Sequence, residues 1–104
     1  MKKFNHVGIP TSVVHEGETF NADIGLYVTD FSNSDNRIEW LRFLPESPMP
    51  EALKTTAHVA YEVDDLQQAM VGKEVLLEPF DASESLTIAF ILEDEAPVEL
   101  MQYH

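Results

Sequence analysis

The sequence predicts an α+β domain assembled from two related halves. Short segments rich in β-branched and aromatic residues alternate with turn-forming residues, a pattern typical of β-strands. One segment, DDLQQAMVGK, has the features of a helix instead. The phrase His-Val occurs twice inside an apolar run, and each copy is followed later by a Glu flanked by apolar residues. This repetition at a long period indicates an internal duplication.

The strands carry most of the chain. In order, they are predicted at KFNHVGI, DIGLYVTD, RIEWLRFL, AHVAYEV, EVLLEPF, LTIAFIL and PVELMQY. The segment VVHEGETF is a weaker strand candidate, because Gly17 interrupts it. FSNSDNR predicts a hairpin loop, since Asn, Asp and Ser side chains bond to nearby backbone groups in turns.

Two segments depart from the strand pattern. PESPMPEAL predicts a connector, because its prolines lack the N–H that a regular strand donates, and a short helical turn at Glu51–Lys54 closes it. DDLQQAMVGK predicts the principal helix, with Asp64 or Asp65 capping its first amides and Gly72 ending it. The second half therefore has the order strand, helix, strand, strand, strand.

The length of 104 residues predicts a single domain, residues 1–104. Within it, module one covers about 1–46, a connector 47–56 and module two 57–104. The interval from His to Glu is 39 − 6 = 33 residues in module one and 99 − 58 = 41 in module two. The difference of 8 matches about two helical turns. The helix of the first module is therefore predicted to be missing or shortened.

Composition excludes several classes of function. The net charge of −13, with only 6 Lys and Arg, argues against nucleic acid and anionic membranes as partners, since both require clustered cations. No apolar run approaches the roughly 20 residues of a membrane span. The absence of cysteine excludes disulfides and thiolate metal sites. These features predict a cytoplasmic protein that acts on a small molecule.

The duplicated residues have the chemistry of a metal site. Side chains alternate between the two faces of a strand, so each His or Glu lies opposite its apolar neighbours. Two imidazoles and two carboxylates converging from four strands suit Zn, Ni, Co, Mn or Fe(II). The candidate ligands are His6, Glu39, His58 and Glu99. His15 and His104 have no matched partners and are predicted to be surface residues.

At these residues the chain resembles the vicinal oxygen chelate superfamily. HVAYEVDDLQQAM…GKEVLLEP…IAFILEDEAPVELMQ is similar to its βαβββ module, and FNHVGIP…RIEWLRF is similar to the ends of another. The resemblance implies two tandem modules forming a curved, incomplete barrel. It also implies that the four candidates are the ligand positions of a glyoxalase I-like site, where a divalent metal chelates neighbouring substrate oxygens.

Three functions follow from this resemblance. The leading one is a small metal-dependent lyase or isomerase acting on an α-oxygenated carbonyl compound, with Glu39 or Glu99 as general acid and base. Arg37 is a candidate for contacting an anionic substrate. The first alternative is a metal-free binding or resistance module, like the bleomycin-resistance proteins, that sequesters a small cationic compound. The second is an Fe(II) extradiol-type dioxygenase.

The missing helix predicts a homodimer. In the first half, the large apolar residues that point away from the site have no helix to cover them, and monomers rarely expose such a patch. A second copy of the chain is the simplest cover, and folding back of the connector is the alternative. The residues of the patch are Val7, Ile9, Ile38, Trp40 and Leu44.

Overall fold

The structure, a computed structural model, describes residues 2–104. Eight strands and few helices make up this part of the chain, which confirms a small α+β fold. Two short helices are present, α1 (Glu51–Thr55) and α2 (Leu66–Met70), with a 3-10 turn at Phe31–Asn33. The strands are β1 (Lys2–Pro10), β2 (Thr19–Asn21), β3 (Leu26–Val28), β4 (Ile38–Phe43), β5 (His58–Val63), β6 (Glu74–Ser83), β7 (Leu86–Glu93) and β8 (Ala96–Tyr103).

The strands form one sheet that curls into a half-barrel, in the order β2-β3-β4-β1-β5-β8-β7-β6. Four strands from distant parts of the chain meet at its centre. β1 pairs in parallel with β4, β5 pairs in parallel with β8, and β1 and β5 run antiparallel to each other. The outer strands on both sides add antiparallel hairpins. This topology places β4, β1, β5 and β8 side by side.

One face of the sheet packs against a helix, and the other borders a cavity. We call the face that carries His6 and His58 the inner face and the opposite one the outer face. On the outer face, α2 packs over β5, β7 and β8, and its Leu66 is 3 % exposed. The buried cluster there consists of Leu66, Ala89, Ile91, Val98 and Leu100. The inner face is left to a cavity, which α1 borders through Leu53.

Local sequence explains where the helices begin and end. The Asp65 carboxylate accepts a hydrogen bond from the Gln68 backbone N–H at 3.1 Å and so caps α2, as predicted. Gly72, at φ +74°, follows the helix in a conformation that few other residues adopt. The short helical turn after the prolines is also confirmed, as α1.

Of two local predictions in the first half, the weaker strand candidate is largely wrong and the hairpin loop is confirmed. The segment VVHEGETF contributes only its last two residues to a strand, because β2 begins at Thr19. FSNSDNR lies in the loop that connects the antiparallel strands β3 and β4, and it contains a 3-10 turn whose first residue follows Asp30, which accepts a hydrogen bond from the Ser32 N–H at 2.8 Å. In VVHEGETF, the Glu18 carboxylate accepts a hydrogen bond from the His15 N–H at 3.2 Å, a local bond that a regular strand does not form.

The outer face of the first half is covered by a loop. The His15 ring stacks on the Trp40 ring, with centroids 4.7 Å apart and an angle of 13° between the two planes. The five residues of the predicted patch are half-buried and none is fully exposed. The connector does not supply this cover, because Leu53 lies on the inner face. His15 is thus a packing residue, whereas His104 is exposed as predicted.

None of the helices within residues 2–104 combines the length and apolar character needed to cross a membrane.

Candidate metal centre

The register of the central strands brings the four candidate residues together. In one row across the sheet, Glu39 and His58 flank Gly8. In the adjacent row, His6 and Glu99 flank Ala60. Residues two apart on a strand share a face, so both rows present their side chains to the inner face. Small residues at the middle of each row leave room for the larger side chains on either side.

The ligand atoms of the four residues converge on one point. One atom from each of His6, Glu39, His58 and Glu99 lies within 4.8 Å of all the others. The Glu99 Oε1 is 3.1 Å from His58 Nε2 and 3.3 Å from His6 Nε2. The Glu39 Oε1 is 3.4 Å from His6 Nε2. Glu99 therefore touches both imidazoles, and Glu39 touches one.

These separations fit a bound divalent metal. A tetrahedral ion about 2.1 Å from each nitrogen or oxygen ligand sets neighbouring ligand atoms roughly 3.4 Å apart. The nitrogen His6 Nε2 is buried and has no hydrogen-bond partner among residues 2–104, although it points at two carboxylates. A buried nitrogen without a hydrogen-bond partner at the convergence point, within an N₂O₂ donor set, is an arrangement that suits such an ion.

Asn5 orients the ring of His6. The Asn5 Oδ1 lies 2.6 Å from His6 Nδ1, so it accepts the proton of that nitrogen when His6 is neutral. The Asn5 amide group donates in turn to Glu62 Oε2 at 2.9 Å. A hydrogen bond at Nδ1 fixes the tautomer that leaves the Nε2 lone pair free for a metal. Asn5 therefore belongs to the candidate site, although it is no ligand.

Sequence reasoning missed Asn5 because of a β-bulge. Phe4 pairs with Tyr61 and His6 pairs with Ala60, so two steps along β1 match one step along β5. The extra residue is Asn5, and it is 4 % exposed beside the buried His6. Simple alternation would place Asn5 and His6 on opposite faces. The only signal in the sequence is a polar residue next to the histidine.

His58 is positioned by packing. A Cβ added at Gly8 would lie 2.2 Å from His58 Cε1, so the imidazole occupies the space that a side chain at position 8 would fill. The edge of the ring meets Phe90, with centroids 5.1 Å apart. Its Nδ1 is buried without a hydrogen-bond partner among residues 2–104. Contact with Gly8 and Phe90, together with the bond to Glu99, sets its direction.

The carboxylates and imidazoles of the site alter each other's protonation. Burial disfavours the charged form of His6, but the adjacent Glu39 and Glu99 outweigh it and raise the pKa of His6 from 6.5 to about 9. Burial also favours the neutral form of Glu99, but contacts with His58 and His6 outweigh it and lower its pKa. Without a metal, a proton on His6 thus balances the carboxylates.

Arg37 lies behind the site. Its backbone has φ +56°, its Nε donates to the Asn5 carbonyl oxygen, and its guanidinium lies 4.8 Å from the centre of the Phe31 ring. The Phe31 ring stacks on His6 at 4.4 Å. Arg37 is absent from the residues that line the cavity. The structure gives it contacts that support the His6 side of the site, and its contact with a substrate stays a prediction.

The four candidate ligands, His6, Glu39, His58 and Glu99, line a cavity of about 220 Å³. Most of its lining consists of apolar side chains from strands of both halves of the sheet and from α1. A largely apolar pocket with a few convergent polar groups is the usual form of a small-molecule site. These four residues, which we call the quartet, therefore face a space that a small ligand can enter.

Comparisons with known proteins concern the fold. No protein-family model matches the sequence, and no curated protein does. Among solved structures, the hypothetical protein BH1468 from Bacillus halodurans C-125 is similar, with a TM-score of 0.74 and 16 % identity. The match covers 99 % of this chain and 95 % of that one. At this identity, the similarity concerns the architecture alone.

Proposed function

We propose that the protein is a metal-dependent lyase or isomerase of the vicinal oxygen chelate type, acting on an α-oxygenated carbonyl compound. The observation that carries this proposal is the convergence of ligand atoms from His6, Glu39, His58 and Glu99 within 4.8 Å in the lining of a cavity. In each half of the chain, the strand that carries the histidine pairs in parallel with the strand that carries the glutamate: β1 with β4, and β5 with β8. This repeated pairing supports two tandem modules. In module one, the loop bearing His15 takes the place of a helix.

Different residues of this chain would bind the metal, transfer the proton and exclude water in such a reaction. The four side chains would hold the ion, which when bound polarises a carbonyl group and acidifies the adjacent C–H. A carboxylate beside the substrate then removes a proton from one carbon and returns it to the next. The apolar walls keep bulk water away from the exchanged proton.

The geometry distinguishes the two carboxylates. The Glu99 side chain is 8 % exposed and contacts both imidazoles, whereas the Glu39 side chain is 17 % exposed and contacts only His6. A group with fewer partners is freer to leave the ion and take a proton. We assign Glu39 as the general acid and base and Glu99 as the firmer ligand.

Metal binding is the first test. Isothermal titration with Zn, Ni, Co and Mn should show about one ion per chain for the wild-type protein, and His58→Ala and Glu99→Ala should weaken binding strongly. The exposed His104→Ala variant serves as the matched control, because it removes an imidazole outside the quartet. Equal affinity for all these proteins would refute the site.

Proton transfer is the second test. The metal-loaded protein should exchange the acidic C–H of a hydroxy-ketone with solvent deuterium, which NMR detects. Glu39→Gln should slow this exchange by roughly 100-fold or more while metal still binds. Glu99→Gln should instead reduce the metal affinity. Binding of such compounds without exchange, across a broad panel, would favour a binding module over an enzyme.

A further inference from the structure

The cavity beside the quartet separates polar and apolar groups sharply. The four candidate ligands converge on one point of its lining, and Asn21 is the single other polar side chain there within residues 2–104. The remaining walls come from aliphatic, aromatic and thioether side chains. They include Leu53, Leu86, Ile88 and Met101.

The lining also lacks positive charge. Within the described part of the chain, no lysine or arginine lines the cavity. The two arginines nearest in sequence to Glu39 have other partners. Arg37 lies against Phe31 and the Asn5 carbonyl oxygen, and Arg42 forms an ion pair with Glu18 at 2.8 Å. A carboxylate or phosphate group lying against these walls, away from the four proposed ligands, would lose its hydration without gaining a cationic partner.

The size of the cavity suits one ring or a short branched chain. A dry apolar cavity of about 150 Å³ already accommodates benzene, and this one has about 220 Å³. Burying a group of that size against Leu53, Ile88 and Met101 is favourable in proportion to the apolar area removed from water.

From these observations we infer the substrate class, an inference that rests on the proposed function. The substrate is an uncharged molecule with two neighbouring oxygen atoms at one end and a compact apolar body, aromatic or branched aliphatic, at the other. The oxygen pair faces the quartet, and the apolar body lies against the hydrophobic walls. Conjugates that carry phosphate or several carboxylates do not fit.

The experiment compares three hydroxamic acids, which present the same pair of neighbouring oxygens. Benzohydroxamic acid has an apolar ring, acetohydroxamic acid has only a methyl group, and 4-carboxybenzohydroxamic acid adds a charge to the ring. Calorimetry measures their binding to Zn-loaded protein. Benzohydroxamic acid should bind about 10- to 100-fold more tightly than acetohydroxamic acid. It should also bind at least about 10-fold more tightly than 4-carboxybenzohydroxamic acid.

A positive charge introduced into the cavity lining should reverse the preference for benzohydroxamic acid over 4-carboxybenzohydroxamic acid. Leu86 is half-buried at the start of β7 and lines the cavity, so Leu86→Lys should raise the affinity for the carboxylated compound relative to the benzo compound. Val71→Lys is the matched control, because Val71 is 70 % exposed and outside the cavity. The wild-type series decides the matter even if Leu86→Lys does not fold.

The outcomes separate the two claims. Zn-dependent binding of all three acids, with the carboxylated compound equal to or tighter than the benzo compound, overturns the inferred substrate class and leaves the metal site standing. Binding of the acids that does not change when Zn is removed, or no binding of Zn at all, overturns the proposed function and this inference with it.

Discussion

The two halves of the chain each supply one histidine and one glutamate to the quartet, but they support them differently. In the N-terminal half, His6 Nδ1 hydrogen-bonds to Asn5, and the Phe31 ring stacks on the imidazole. On the C-terminal side, His58 has no partner at Nδ1 and lies over Gly8, with its ring edge against Phe90. One ring is directed by polar contacts and the other by the shape of its surroundings.

The outer faces of the halves differ in a similar way. The second half is covered by α2, which adds Leu66 to a continuous apolar cluster. The first half is covered by a loop in which His15 stacks on Trp40. The helix thus covers a buried cluster, whereas the loop leaves the patch residues of the first half only half-buried. The following predictions test these differences, beginning with the largest effect.

Gly8→Ala should disrupt the His58 side of the site. The new Cβ would lie 2.5 Å from His58 Nε2, so the ring must leave its present position. We expect Zn affinity, measured by calorimetry, to fall by more than the roughly 10- to 100-fold typical of losing an outer hydrogen-bond partner. Val71→Ala is the control, because Val71 is 70 % exposed and lies outside the cavity. An unchanged affinity in Gly8→Ala would contradict the role assigned to packing.

Asn5→Ala should disrupt the His6 side to a smaller degree. The ring keeps its stacking on Phe31 but loses the partner that selects its tautomer. We expect a loss of about 10- to 100-fold in Zn affinity, with the fold intact by circular dichroism. Asn36→Ala, at an exposed asparagine, should have no effect. If both variants bind Zn like the wild type, the Asn5 hydrogen bond has no role in the site.

The pH dependence of metal binding should report the proton on His6. Since its pKa in the folded, metal-free protein is raised to about 9, that proton stabilises the fold fully below pH 6.5, and its contribution is lost as the pH rises through about 9. Metal must displace it, so Zn affinity should increase roughly tenfold per pH unit up to about pH 9. Calorimetry in two buffers of different ionisation enthalpy should show about one proton released at pH 7.5. Release of no proton would contradict this.

The oligomeric state should distinguish the outer faces. The homodimer predicted from the sequence would bury Trp40, which is half-buried under His15 in the single chain. Light scattering should give about twice the chain mass of 11.8 kDa for the wild type and the chain mass for Trp40→Glu. Val71→Glu, at an exposed apolar residue elsewhere, is the control. A wild-type monomer at micromolar concentration would show that the loop suffices as cover.

Sequence reasoning reached the quartet because strand alternation and repetition are visible in the residues themselves. It reached α2 because Asp65 and Gly72 mark its ends. It missed Asn5 and Gly8 because their roles arise between strands. A bulge turns Asn5 inward, and only the register of β1 against β5 sets Gly8 opposite His58. The cover that His15 gives Trp40 also depends on a loop path that no periodicity encodes.

The spread of the quartet along the chain has a consequence for folding kinetics. From His6 to Glu99 the ligands span 99 − 6 = 93 positions and lie on four different strands. An ion can therefore find all of them only after the centre of the sheet has formed, late on the folding path. Bound metal should then slow unfolding and leave the folding rate almost unchanged. At a free metal concentration 100 times the Kd, binding would add about 2.7 kcal/mol to the free energy of unfolding. If the proposed site binds metal, the lifetime of the folded protein would therefore depend on the metal supply.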